Sequence, residues 1–246
     1  MLFTNHHNNI VKHAAYLILA AIVFNPVATA HATEQASTSE FPGRRVGGGS
    51  RGECPSNGPF VALSPESHLI KTANANPTLY FLLPNSNQPL QLELVIKSRE
   101  GDTVVNTVFE AISNDGISGV VLPERTVSLE LEQDYKWYLS IICDANHSSR
   151  AQNPIVFGWM RRVADPSTVT EMDTEDVTQM VQEYQEAELW QETISTLIQS
   201  QSTQTSDSEL VALWGELLEA EGLSQVLANA FTDNQLPSYQ AFLVQE

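Results

Sequence analysis

The residues of this sequence that could do chemistry cluster just after Cys143. Asp144, Asn146 and His147 follow it and bring a carboxylate, an amide and an imidazole into one short loop. Such a set could ligate a metal ion or position a general base. One His beside one carboxylate is also a common composition of an ordinary loop, and the chain contains neither a G-x-S-x-G elbow nor an H-E-x-x-H helix. We therefore predict no metal and no cofactor, and keep an enzyme site at this loop as the last of three hypotheses.

The N-terminus has the form of a secretory signal. A weakly basic start precedes the apolar run Ala14 to Phe24, and two A-x-A cleavage sites follow at 28–30 and 30–32. This run is shorter than the ~20 apolar residues that span a bilayer. We predict that residues 1–32 are a signal peptide, that no transmembrane segment follows it, and that the protein is exported to the periplasm or beyond.

The chain contains two cysteines, Cys54 and Cys143, and export would place both in an oxidising compartment. A disulfide between them is the default pairing. A metal pair or free thiols would fit less well, because no cluster of histidines or further cysteines accompanies them. Closing so long a loop would stabilise the fold by roughly 4 to 5 kcal/mol on the chain-entropy estimate.

The charge is distributed unevenly. The formal net charge is -18, Arg162 is the last basic residue, and Pro166 to Glu246 contains only acidic charges. Such acidity disfavours nucleic acid or an anionic membrane as partner, although solubility alone would also explain it. The change predicts a boundary near residue 165, with a β domain at 53–165 and an acidic helical region at 166–246. The Gly- and Ser-rich residues 33–52 read as a flexible lead-in.

The elements that would position these residues are mainly β-strands. Tyr135, Trp137, Leu139, Ile141 and Cys143 alternate with more polar residues, which predicts a strand with one buried face. Val127 to Leu131 alternates in the same way, and about seven short strands follow one another between 78 and 159. We predict an antiparallel β-sandwich. The spacing of Leu131 and Tyr135 resembles a tyrosine corner and makes the sandwich immunoglobulin-like.

After Asp165 the apolar period changes to that of helices. Val177, Met180, Val181 and Tyr184 predict a first helix, and Trp190 to Ile198 a second. A third is expected to open at a capping box of Ser206 and Glu209 and to end at Gly222, before a fourth at Leu223 to Phe231. The fold class is thus mainly β with α, ending in a pair of αα-hairpins.

Aromatic and basic residues supply the candidate binding sites. Trp137 and Trp159 are expected in the β core. Trp190 and Trp214, with Tyr184, lie on helix faces, where they pack inside or, if exposed, mark a binding surface. Arg161 and Arg162 end the last strand, and we predict that they clamp the β domain to the acidic helices.

Four segments carry a resemblance to a known family: RRVGGGSRGEC (44–54), YKWYLSIICD (135–144), NPIVFGWMRRV (153–163) and YQEAELWQETISTL (184–197). As an ordered set they resemble the cyanobacterial domain-of-unknown-function family 928, from about Arg44 to Phe231. The family pattern has a Gly before the apolar-Trp pair, where this chain has Glu188. The resemblance implies an exported protein with a β domain and a short helical tail, and it implies no activity.

Two binding hypotheses precede the enzyme hypothesis. The first is an exported, non-enzymatic interaction module whose acidic helices dock a protein partner in the cell envelope. The alternative is a β-sandwich that binds carbohydrate or other envelope material through aromatic residues on a sheet face.

Overall fold

A computed structural model describes residues 40–48, 54, 58–113, 116–122, 128–144, 152–166, 176–201, 208–224 and 238–243. Two β-sheets form the first part of the fold and three helices follow. All described residues belong to one compact unit, Thr38–Glu246. The domain bounds drawn from the sequence stay a prediction.

The larger sheet has five strands in the order β2-β8-β7-β4-β5. Its neighbours are antiparallel except for β2 and β8, which run parallel with Leu69 opposite Trp159. Its strands are β2 (Leu69–Thr72), β4 (Leu90–Ser98), β5 (Thr103–Ala111), β7 (Asp134–Ile141) and β8 (Ile155–Arg162).

The smaller sheet has four strands in the order β1-β3-β6-β9. Its last strand comes from the C-terminal end of the chain and pairs parallel with β6. Gly116 of β6 permits this approach, because a Cβ there would lie 2.3 Å from the Ser238 carbonyl oxygen. The strands are β1 (Val61–Ala62), β3 (Thr78–Leu82), β6 (Gly116–Val121) and β9 (Ser238–Leu243).

The core lies between the inner faces of the two sheets, as the alternation along β7 predicts. Tyr135, Trp137, Leu139 and Ile141 are buried, whereas Lys136 and Tyr138 on the other face are partly exposed. Trp137 packs edge-on against Phe81 of the opposite sheet, with ring centroids 5.7 Å apart. The two sheets are therefore joined by interdigitated apolar side chains, as in a sandwich.

The helices are α1 (Val177–Glu186), α2 (Trp190–Gln201) and α3 (Ser208–Ala220). Asp176 caps α1 by accepting hydrogen bonds from the backbone N–H groups of Thr178 and Gln179. Gly222 follows α3 with φ +63°, the left-handed conformation that favours glycine after a helix. The predicted ends of these three helices are confirmed closely, while the capping Ser206 and most of the predicted fourth helix lie outside the described residues.

Two expectations about the β part need correction, the antiparallel sheets and the strand at 127–131, and a third, the immunoglobulin-like topology, is not confirmed. The sheets are mixed rather than antiparallel, because β2–β8 and β6–β9 are parallel pairs, and an immunoglobulin-like topology is not confirmed. The hydroxyl of Tyr135 does contact upstream backbone, accepting from the Glu130 N–H at 3.2 Å. The strand predicted at 127–131 is reduced, over its described residues, to one bridge between Leu131 and Arg162.

The described part of the lead-in pairs with both sheets. Arg44 exchanges two backbone hydrogen bonds with Phe157 of β8, at 2.8 and 3.0 Å, and Val46 bridges Val61 of β1. Gly43 lies against His68 so closely that a Cβ would come within 2.5 Å of the imidazole. Residues 41–47 thus close one edge of the sandwich, because the chain crosses there from one sheet to the other.

The predicted disulfide joins Cys54 to Cys143, whose Cα atoms are 4.6 Å apart. It connects the segment before β1 to the residue that follows β7 and Ile142. The cross-link restricts the unfolded chain over a sequence separation of 89 residues.

Candidate functional site

The helical part is attached to the β part through α2. The Trp190 indole N–H donates to the Leu63 carbonyl at 3.0 Å, and the Gln191 side-chain amide donates to the Thr78 carbonyl. The hydroxyl groups of Tyr80 and Ser195 are 2.9 Å apart, and burial raises the pKa of Tyr80 to about 12. These bonds link α2 to Leu63, the residue after β1, and to Thr78 and Tyr80 of β3, so α2 is packed directly against the sandwich.

Glu192 adds a buried carboxylate to this junction. Its Oε1 accepts from the Thr72 hydroxyl at 2.8 Å and from the Ala73 N–H at 2.9 Å. Its Oε2 is buried and has no hydrogen-bond partner among the described residues. Burial raises the pKa of Glu192, and the hydrogen bonds oppose that rise. The carboxylate therefore joins helix to strand at an electrostatic cost.

The turn between α1 and α2 holds Glu188 in the left-handed region, at φ +56°. This is the position where the family pattern has glycine, and the tight turn forms despite the side chain. The Glu188 carboxylate pairs with the Lys71 ammonium of β2, and the hydrogen bond and charge of Lys71 lower the pKa of Glu188. The Glu188 side chain is 70% exposed, so water screens much of this attraction.

The end of α3 is held by the lead-in before β1 and by the loop before β2. The Arg45 guanidinium donates to the Glu221 carbonyl, and the Glu66 N–H donates to the Glu221 carboxylate at 2.6 Å. The positive charge of Arg45 lies beside carbonyl groups left open at a helix C-terminus, where a cation is favourable. The α1–α2 turn and the end of α3 are thus both fixed relative to β2.

A groove of about 460 Å³ lies between these elements, and we call it the helix–sheet groove. Leu69, Trp190 and Leu217 give it a buried apolar floor. Polar side chains of Lys71, Gln185, Glu188, Glu221, Ser67 and Thr193 also line it, and Phe41, Pro65 and Ala220 complete the lining. An apolar floor with a few polar groups is the usual composition of a ligand site, and the volume lies in the ordinary range of about 300–1,000 Å³.

A second feature lies on the outer face of the five-stranded sheet. Tyr138 is opposite Phe157, and Lys136 is opposite Trp159, on the neighbouring strands β7 and β8. The Lys136 Nζ lies 5.1–5.3 Å from the centroids of all three rings, and the rings of Tyr138 and Phe157 stack 5.7 Å apart. We call these four residues the aromatic face. All four are partly exposed, so their rings are available for contact with a ligand.

Phe41 connects the aromatic face to the helix–sheet groove. Its ring packs edge-on against Trp159 at 5.8 Å, and it also lines the groove. The Trp159 indole N–H donates to the Pro42 carbonyl at 3.1 Å, which holds the lead-in over this side of β8. The groove and the face therefore form one continuous surface. Trp159 lies outside the core, which corrects the expectation that it is a core residue like Trp137.

The partners of the two arginines predicted as a clamp lie in the β part, as far as the described residues show. Arg161 donates to Asp134 at 2.6 Å, and Arg162 donates to the carbonyls of Leu129 at 3.1 Å and Ala73 at 3.3 Å. The clamp to the acidic helices stays a prediction. Besides the contacts of α2, Arg45 and Lys71 connect the helices to the β part, and their partners are distant in sequence.

The three aromatic candidates of the helices differ in exposure. Trp214 is 1% exposed and packs within the helical core. Trp190 is 8% exposed, with one edge on the floor of the groove. Tyr184 is partly exposed, and burial raises its pKa. The two tryptophans are packing anchors, the first of the two roles that the sequence allowed, because their rings fill the contacts of α2 and α3. A binding surface that includes Trp190, Trp214 and Tyr184 stays a prediction.

The loop with His147 lies outside the described residues except for Cys143 and Asp144, so an enzyme site there stays a prediction. Within the described ranges, no group of three or more His, Cys, Asp or Glu side chains could hold a metal ion. No described helix has the length and apolarity to cross a membrane.

The fold and the groove define a two-sheet protein with helices packed along one edge of the sheets. The family model described as Domain of Unknown Function (DUF928) matches residues 46–231, so the chain belongs to that family. No curated protein and no solved structure matches the chain. The match ends before β9 and includes all three helices, the groove-lining strand β2 and both strands of the aromatic face.

Proposed function

We propose that this protein is an exported, non-catalytic binding module and that its ligand is a glycan of the cell envelope. The observation that carries the proposal is the continuous surface formed by the helix–sheet groove and the aromatic face. Trp159 and Phe41 lie where the two meet. The signal-like N-terminus and the disulfide are both consistent with export.

A glycan fits this surface because a sugar ring has apolar C–H faces and a rim of hydroxyl groups. The aromatic rings supply partly exposed apolar surface of large area. At the groove, Gln185, Glu188 and Lys71 offer an amide, a carboxylate and an ammonium that can exchange hydrogen bonds with hydroxyl groups. An extended chain of sugars could therefore contact the rings and place one unit in the groove.

The structural roles of the two groove carboxylates, Glu188 and Glu221, favour binding rather than catalysis. Glu188 pairs with Lys71, and Glu221 accepts from the Glu66 N–H, so both take part in holding the helices. A glycosidase needs two carboxyl groups flanking the scissile bond, one of which stays protonated. Ion pairing instead lowers the pKa of Glu188, which keeps that group ionised.

Calorimetric titration of the mature protein with a panel of neutral envelope oligosaccharides tests the proposal, because this readout does not depend on Trp159. We expect the wild type to bind with a measurable heat. Trp159→Ala should weaken that binding about tenfold or more, as truncation of an aromatic hot spot does. Ile112→Ala, which removes an exposed apolar residue away from the face, is the control. Unchanged affinity in Trp159→Ala would contradict the proposal.

A protein partner docked on the helices is the second candidate. Glu186, Glu209, Glu216 and Glu219 are exposed on α1 and α3, in a region without Lys or Arg. Such a surface fits a basic partner, because opposite potentials steer association. Reversing Glu216 and Glu219 to Lys should abolish capture of that partner from envelope fractions. Capture that survives the reversal would argue against this surface.

A further inference from the structure

The outer face of the five-stranded sheet concentrates positive charge in a chain of net charge -18. Lys97, Lys136 and Arg161 stand on β4, β7 and β8, and each is partly exposed. Their sequence neighbours Ile96, Trp137 and Met160 are buried, so the three basic side chains point to the same outer face. Lys71 of β2 lies opposite Arg161 and extends the basic row to the helix–sheet groove.

Two of these charges are placed unfavourably for stability. Lys97 and Lys136 are direct partners across β4 and β7. Like charges directly opposite one another destabilise a sheet. The Lys136 ammonium lies over the rings of Phe157 and Trp159 on β8, the strand on the other side of β7 from β4. The aromatic face thus stabilises one ammonium by cation–π contact without neutralising it.

The carboxylates near this face leave two of its ammonium groups without an ion-pair partner among the described residues. In the described part of the chain no carboxylate forms an ion pair with Lys97 or Lys136. Asp134 takes both Arg99 and Arg161, so two guanidinium groups share one carboxylate. Glu40 and Glu132 are near enough to act on Arg161, and Glu93 lies further along β4, opposite Ser140. Lys136 of the aromatic face and its neighbour Lys97 on β4 therefore carry two ammonium groups that no described carboxylate neutralises.

We propose that the glycan bound by this face is an anionic polysaccharide, with its carboxylate or sulfate groups on Lys97 and Lys136 and its sugar rings against Tyr138, Phe157 and Trp159. The proposal rests on the glycan-binding function above and adds the charge of the ligand. An anion between Lys97 and Lys136 removes their mutual repulsion. The remainder of the protein repels a polyanion, so the local basic face must supply the attraction.

Equilibrium titrations with three polymers of similar length test this inference: uncharged dextran, dextran sulfate and polygalacturonate. We expect the mature protein to bind at least one of the two anionic polymers about tenfold or more tightly than dextran, with an affinity that falls as salt is added. Sulfate and carboxylate ligands are distinguished by which anionic polymer binds. The double variant Lys97→Gln/Lys136→Gln should lose about tenfold or more of that affinity, and Lys97→Arg/Lys136→Arg should keep it. The double variant Gln182→Glu/Ala212→Glu, at exposed positions of α1 and α3 outside the groove, changes the net charge by the same amount and is the control.

Different results would contradict glycan binding and the preference for anionic glycans. If neutral and anionic glycans bind equally and the double Gln variant binds like the wild type, the anionic preference is wrong while glycan binding stands. If no polysaccharide or oligosaccharide binds at all, the proposed function fails and the inference with it. Loss of affinity in Gln182→Glu/Ala212→Glu equal to that in Lys97→Gln/Lys136→Gln would mean that net charge, and not this face, decides binding, and would overturn the inference.

Discussion

Glu192 is a buried acid that joins α2 to the end of β2 with one oxygen and leaves the other without a partner among the described residues. Burial raises its pKa in the folded protein. A group whose pKa is raised by folding contributes its full stability below the unfolded pKa, and that contribution is lost as the pH rises through the folded pKa. Glu192 therefore favours the folded state more in weak acid than at neutral pH.

Glu192→Gln is expected to remove this dependence on pH. Relative to the variant, the wild type should lose free energy of unfolding as the pH rises from 4 to 8, because only the wild type must ionise a buried group. Urea unfolding of both proteins across this range measures the difference. Glu186→Gln, at an exposed carboxylate of α1, controls for the loss of one charge. Parallel stability profiles for Glu192→Gln and the wild type would contradict the expectation.

The pH dependence of stability that Asp134 contributes is opposite in direction to that of Glu192. Burial raises its pKa, but hydrogen bonds from Arg161 and Arg99, with the attraction of both guanidinium groups, outweigh burial and lower the pKa below the ordinary value. A lowered pKa contributes stability above the unfolded pKa, and this is lost as the pH falls through the folded pKa. We expect Asp134→Asn to cost about 2 kcal/mol at pH 7, and the cost to shrink towards pH 2. A cost that is the same at both pH values would show that charge plays no part.

At the scale of single residues, the sequence predicts a contact between two side chains only where few residues in the chain could be the partner. Two cysteines leave one intramolecular pairing, and Cys54–Cys143 forms. Acids and bases are numerous, and each arginine has many candidate partners. For this reason the partner of Arg161 could not be chosen from the sequence. Arg161 pairs with Asp134 on the next strand, whereas the sequence had suggested a partner in the acidic helices.

The α1–α2 turn is the element whose sequence and conformation disagree. Glu188 adopts a left-handed conformation that costs a side-chain residue roughly 1–2 kcal/mol. Its ion pair with Lys71 is exposed and returns about 0–1 kcal/mol. The turn forms because α1 and α2 are each fixed by burial, so that packing outweighs the local preference.

Comparing Glu188→Gly with Glu188→Ala separates the two contributions. Both variants lose the ion pair, but only glycine relieves the left-handed strain. We expect Glu188→Gly to be about 1 kcal/mol more stable than Glu188→Ala in thermal or chemical unfolding. Equal stability of the two variants would mean that the turn relaxes out of the left-handed region when Lys71 is released.

Elements with a strong local period could be predicted, and elements defined by distant partners could not. The alternation from Tyr135 to Cys143 and the helical spacing from Val177 to Tyr184 match β7 and α1. β2 and β9 are short and pair in parallel with strands that are distant in the sequence. Because no tight turn connects them to those partners, the sequence contains no hairpin pattern that would predict them. Parallel pairs change the topology, which is why the antiparallel expectation failed.

At the scale of the whole molecule, the charge boundary near residue 165 does not mark a gap in packing. The acidic helices contain no basic residue, yet α2 makes buried hydrogen bonds with β3 and the loop before β2. Net charge describes the solvated surface, whereas the junction is made of apolar side chains, neutral hydrogen-bonding groups and a few charged side chains with specific partners, such as Glu192 and Lys71. The helix–sheet groove exists because of this junction, so it could not be predicted from either half of the sequence alone.

The central claim is that the helix–sheet groove binds part of a glycan, and filling the groove tests it most directly. Ala220 lines the groove at the end of α3, and Ala212 is exposed on the same helix but lies outside the groove. Calorimetric titration of Ala220→Trp and Ala212→Trp with the polysaccharide that binds the wild type compares the same substitution at the two places. We predict about tenfold or greater loss of affinity for Ala220→Trp, with its unfolding temperature unchanged, and wild-type affinity for Ala212→Trp. Wild-type affinity in both variants would contradict the account.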